Sequence, residues 1–81
     1  NEVNLYQSTL QKVLIETAAD NSEHIIIRKI VRDMQSDVEN LGEVSPEKKT
    51  LFQQTLKALP SAVQGLESVS KLVDLFTKYI L

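Results

Sequence analysis

The chain has 81 residues, 42% of them hydrophobic and 25% charged, with a formal net charge of -2. One aliphatic core fits that length and two domains do not, while the lack of Cys excludes both a disulfide framework and a thiolate metal site, as suits a reducing compartment. Residues 1–40 carry seven acids against four bases and residues 41–81 four acids against five bases, so neither half calls for a polyanionic partner.

The first predicted helix covers about 3–19, where Leu5, Tyr6, Leu10, Val13, Leu14 and Thr17 or Ala18 fall at helical intervals. Asp20-Asn21-Ser22 follows, and its side chains favour a turn and a cap for the next helix. That second helix covers about 23–41 through Ile26 or Ile27, Ile30, Val31, Met34, Val38 and Leu41, with Gly42 placed to stop it in a left-handed conformation. Ile25-Ile26-Ile27 has local strand propensity, but the following residues continue at period 3.6 and a lone strand would have nothing to pair with.

Ser45-Pro46-Glu47 marks the third helix, about 46–59: Ser as N-cap, Pro at the first helical position and Glu near the positive end of the dipole. Leu51, Phe52, Thr55, Leu56 and Leu59 form its expected apolar face. Pro60 then separates it from a fourth helix at about 61–80, so that these two form a hairpin or a corner around a shared core. In the fourth helix Leu59, Ala62, Leu66, Val69, Val73, Phe76 and Ile80 recur at three- and four-residue steps. Val63, Leu72, Tyr79 and Leu81 widen the stripe beyond the ~100° needed to cover one neighbour, so this helix should meet two elements or a partner. Gly65 inside it predicts a close backbone approach or a slight bend. The expected architecture is all-α, a small four-helix bundle with short connections.

Catalytic chemistry finds little to work with. His24 is the single imidazole, and its place after Ser22 and Glu23 reads as a solvated first-turn residue. No G-x-S-x-G elbow, phosphate-binding glycine loop or His/Cys metal spacing is present. Asp33, Asp37 and Asn40 share a helical face and could offer oxygens to a hard cation, but without an acidic glycine loop they read as a solvated side. The chain is similar to the acyl carrier proteins in size and class alone. Those proteins attach pantetheine to a Ser directly after Asp and before an apolar residue, whereas Asn21 intervenes here and Glu23 follows Ser22. No enzyme, cofactor, metal or small-molecule substrate is therefore expected.

Two binding readings remain. Helices three and four could form a helix-turn-helix contacting nucleic acid through Lys48, Lys49 and Lys57, yet the fourth helix mixes Gln64, Glu67, Lys71, Asp74 and Lys78, a poor match to phosphates. Arg28, Lys29 and Arg32 make a small basic spot on the second helix, diluted by Asp33 and Glu39. The preferred reading uses the flank of the fourth helix: Leu72, Leu75, Tyr79 and Leu81 would form an apolar edge for a protein partner or for self-association. The longest uncharged apolar runs, Val13-Leu14-Ile15 and Ile25-Ile26-Ile27, are far shorter than the ~20 residues of a membrane-spanning helix. With Asn at position 1 and an apolar Tyr79-Ile80-Leu81 end, residues 1–81 are expected to be one helical domain excised from a larger cytoplasmic protein, where it acts as a non-enzymatic adaptor or oligomerisation module in signalling or defence.

Overall fold

The computed structural model describes residues 2–18 and 21–80, and side chains from 6–18 and 21–78. Among these residues are five α-helices and no strand: α1 (Glu2–Glu16), α2 (Ile25–Leu41), α3 (Pro46–Lys57), α4 (Ser61–Gln64) and α5 (Glu67–Leu75). A 3₁₀ turn at Ser22–His24 leads into α2, and a π-helical turn at Phe76–Ile80 follows α5. The protein is an all-α helical bundle.

α1 follows its periodicity, with Tyr6, Leu10, Val13 and Thr17 buried at steps of four, three and four. It ends at Glu16, earlier than the expected 19. Thr17 N–H and Oγ1 both donate to the Val13 carbonyl, at 2.9 and 2.6 Å, but the ladder changes at Ala18, whose N–H donates to the Ile15 carbonyl at 3.3 Å while Arg28 Nη1 donates to the Leu14 carbonyl at 2.8 Å. The carbonyls of Val13, Leu14 and Ile15 thus have partners without a further helical turn.

Asn21 is the residue of its turn that caps, accepting from Glu23 N–H at 2.9 Å. It caps the 3₁₀ turn, so the α-helix proper starts at Ile25 rather than 23. The isoleucine run is helical, and Ile27 enters the core while Ile25 and Ile26 stay 64% and 56% exposed. At 100° per residue, three consecutive side chains cannot all point inward. Ile30, Val31, Met34 and Val38 continue the buried face, and Leu41, expected to join it, is exposed. Gly42 ends α2 as expected, with φ +77° and its N–H on the Val38 carbonyl at 2.9 Å.

α3 starts at Pro46, but Ser45 makes no side-chain cap. Ser45 is buried and donates its own N–H to Asp37 Oδ2 at 3.1 Å, so the start of α3 is tied to α2 instead. Phe52, Leu56 and Leu59 face the core at steps of four and three, leaving Leu51 outside, contrary to its expected place. α3 stops at Lys57, and Gln64 Nε2 donates to the carbonyls of Lys57 and Leu59 at 2.9 and 2.7 Å. That side chain closes the α3–α4 corner.

The expected fourth helix at 61–80 is divided. Leu66 adopts an extended conformation (φ -67°, ψ 137°) between α4 and α5, a full break where a slight bend was one expectation. Gly65 has φ -76°, so the break does not rest on a left-handed glycine. A Leu cannot cap a helix, and the vacancy is filled from α1: Glu16 Oε1 accepts from Ser68 N–H at 3.1 Å and from Ser68 Oγ at 2.8 Å. After the break α5 contacts both α1 and α3, and α1 also packs on α2. Its stripe is redistributed accordingly: Val69, Leu72 and Phe76 are buried, Leu66 and Val73 half-buried, and Ala62 exposed. The Cα radius of gyration, 11.5 Å, matches the ~12 Å expected of a compact domain of this length.

Candidate functional site

Of the apolar edge expected on the fourth helix, the described side chains are those of Leu72 and Leu75. Leu72 has no exposed surface and belongs to the core cluster with Val69 and Phe76, because α1 and α3 cover both flanks of α5. Leu75 is half-buried, the Tyr79 side chain lies outside the described side chains, and Leu81 lies outside the described residues. One of the four proposed contact residues is therefore core, and one presents partial surface.

Exposed apolar area lies elsewhere. Ile15, Ile25 and Ile26 are 71%, 64% and 56% exposed, and Leu41 and Leu51 exceed half exposure as well. Ile15 is on the last turn of α1 and Ile25 and Ile26 on the first of α2, so the antiparallel connection brings all three to one end of the bundle. Ile25, Arg28, Lys29 and Arg32 follow at i, i+3, i+4 and i+7 and, with Asp33, line one shallow open depression along α2. Lys29 and Arg32 are exposed, while Arg28 is half-buried with Nη1 also 3.3 Å from Thr17 Oγ1. An aliphatic anchor beside two solvated cations suits an apolar segment flanked by carboxylates. The basic spot was visible in the sequence. The isoleucines carry a signal of their own, since a helical Ile-Ile-Ile run must leave two of its members outside.

A second shallow groove runs between α1 and α5, lined by Lys12, Ile15, Glu16, Glu67, Ser68 and Lys71. Its polar centre is the Glu16–Ser68 contact, whose oxygen and nitrogen partners satisfy one another.

Lys48, Lys49 and Lys57 are not brought together. Lys48 Nζ lies 3.1 Å from Asp37 Oδ1, Lys49 is half-buried, and Lys57 sits about 13 Å further along the α3 axis. The helix after the α3–α4 corner has four residues, too few to lie in a groove as a recognition helix.

Asp37 departs from the solvated face expected for it with Asp33 and Asn40. It is buried, with one oxygen on Ser45 N–H and the other on Lys48, whereas Asp33 and Asn40 remain exposed and Asn40 Nδ2 donates to Ser36 Oγ at 3.3 Å. Nearby, Tyr6 Oη donates to Met34 Sδ at 3.1 Å, and burial, followed by the negative charge of Asp37, raises the Tyr6 hydroxyl pKa far above its ordinary value. His24 is half-buried rather than fully solvated, and its Nδ1 has no hydrogen-bond partner. Among the described residues no group of three or more His, Cys, Asp or Glu side chains is placed to hold a metal ion, and no helix is long and apolar enough to cross a membrane.

No protein-family model, curated protein or solved structure matches this chain.

Proposed function

We propose that this chain is a non-enzymatic helical interaction module, a cytoplasmic adaptor or oligomerisation unit of a larger signalling or defence protein, whose contact surface is the Ile25–Arg32 face of α2. The observation that carries the reading is an isoleucine pair on the first turn of α2, each more than half exposed, of which Ile25 heads the row that Lys29 and Arg32 continue over the next two turns. A scattered exposed aliphatic is ordinary on any surface; adjacent ones beside a basic row offer both an apolar anchor and an electrostatic rim. Leu75 contributes at most a partial second contact, since α5 is covered on two sides.

The test is site-specific photocross-linking in the cell, with a benzophenone amino acid at position 25 or 26 and, as control, at the exposed position Ser70. A discrete protein adduct at 25 or 26 that is missing at 70, and that weakens in Lys29→Glu/Arg32→Glu, is the expected result. Equal, diffuse labelling at all three positions removes this face as a binding surface.

A further inference from the structure

Resting on the reading of the α2 face as a contact surface, we propose that its occupant is the Glu47–Leu51 face of α3 from a second copy of the chain, docked head to tail. The two faces complement one another in both terms that build an interface. On α2, exposed Ile25 heads the row of exposed Lys29 and Arg32, and exposed Ile26 flanks that row, turned about 100° from Ile25. On α3, Glu47 and Leu51 are four residues apart and so share a face; both are exposed, Leu51 by 60%. Exposed Glu43 lies in the loop before that helix, and Leu41, 62% exposed, ends α2 just before the loop.

The charges on α3 are sorted by the fold. Lys48 would cancel Glu47 in the sequence, but its ammonium is paired with buried Asp37 at 3.1 Å. Lys49, two positions from Glu47, is rotated about 200° around the axis and is half-buried. What Glu43 and Glu47 present to solvent is therefore negative, opposite in sign to Lys29 and Arg32. A nucleic acid or anionic lipid surface is a poorer occupant of the basic row, because Asp33 lines the same depression and the whole chain is net negative.

Position in the fold determines the kind of assembly. Ile25 and Leu41 are at opposite ends of α2, about 24 Å apart along its axis. A face at one end and its complement toward the other cannot satisfy themselves within one molecule, and the contact between copies uses two different patches. A two-fold antiparallel dimer would satisfy both pairs at once, whereas the head-to-tail contact proposed leaves a free basic face on one copy and a free acidic face on the next, so assembly continues into a chain or closes as a ring. Each face is small, and association is expected to be weak in the isolated chain and strengthened wherever several copies are held together.

The experiment uses light scattering on the wild-type chain and on two variants, Arg32→Glu, which spoils the basic face, and Glu47→Lys, which spoils the acidic one. Leu51→Lys serves as a second acidic-face variant, since Leu51 lies outside the core and its replacement leaves the start of α3 intact. The wild type should grow in mass with concentration and lose that growth as salt is added, while each variant alone stays monomeric. An equimolar mixture of Arg32→Glu with Glu47→Lys or Leu51→Lys should associate, with a 1:1 dimer as its smallest product, because each contributes the face the other lacks. A wild type that stays monomeric, variants that associate like wild type, or a mixture that stays monomeric overturns the proposal. The cross-links at positions 25 and 26 separate these outcomes from failure of the broader reading: adducts to a different protein leave α2 as the contact face with another occupant.

Discussion

The carboxylate of Glu16 caps the helix that begins at Glu67, taking the N–H and the hydroxyl of Ser68 at 3.1 and 2.8 Å across 52 positions of sequence. Helix starts are ordinarily capped by the side chain of the residue that precedes them, and the residue in that position here, Leu66, has no side-chain acceptor to give. The last turn of α1 supplies one, and its negative charge lies at the positive end of the α5 dipole. One contact thereby permits the chain to break at Leu66 and fixes α5 against α1.

If that contact is the cap, Glu16→Gln should lower stability slightly and Glu16→Ala by about 1 kcal/mol, the usual cost of a lost N-cap. Ser68→Ala should cost less, since the N–H remains bonded. A double-mutant cycle by urea denaturation should give positive coupling between positions 16 and 68, and additive losses would show that the two do not act together.

Asp37 should matter far more than the lysine paired with it. Asp37→Ala strands the buried Ser45 N–H and is expected to cost roughly 2–3 kcal/mol, whereas Lys48→Ala, whose side chain is 48% exposed, should cost less than about 1 kcal/mol. Thermal melts of the two variants check the ranking.

Core and contact positions should separate cleanly. Leu72→Ala removes a side chain with no exposed surface and should destabilise by about 2–5 kcal/mol, while Ile25→Ser and Ile26→Ser should stay within about 0.5 kcal/mol of wild type. Equal losses at positions 72 and 25 in chemical denaturation would contradict the burial pattern.

Alkaline pH should weaken the fold through Tyr6. Burial and the charge of Asp37 raise its folded-state pKa above the ordinary value of 10.0, so the unfolded chain loses this proton first as pH rises. The contribution of Tyr6 is fully present below pH 10 and declines above it. Denaturation midpoints measured from pH 8 to 11.5 should fall more steeply for wild type than for Tyr6→Phe, which cannot ionise.

The two glycines should behave oppositely. Gly42→Ala forces a side chain into φ +77° and should cost about 1 kcal/mol. Gly65→Ala places its Cβ 3.4 Å from the Ser61 carbonyl oxygen at an ordinary φ and should be neutral or stabilising by up to about 1 kcal/mol. Thermal midpoints of the two variants give the signs directly.

The signals legible along the chain are local. Helical periodicity placed Leu10, Val13, Ile30, Val31, Phe52 and Leu56 on inward faces, Gly42 and Pro46 marked one helix end and one helix start, and the all-α class followed from these. Each of these signals acts within a turn or two of chain, where geometry is fixed by the residues themselves. Packing between distant segments set the rest. It turned Asp37 inward because Ser45 N–H and Lys48 lie across from it, and it broke the last helix at Leu66 because Glu16 stands ready to cap the restart. It also buried Leu72, since α1 and α3 cover both sides of α5, and left Ile25 and Ile26 outside, since only one face of α2 meets α1. Those outcomes depend on groups up to 52 residues apart, and no periodicity along the chain encodes which neighbour a face will meet.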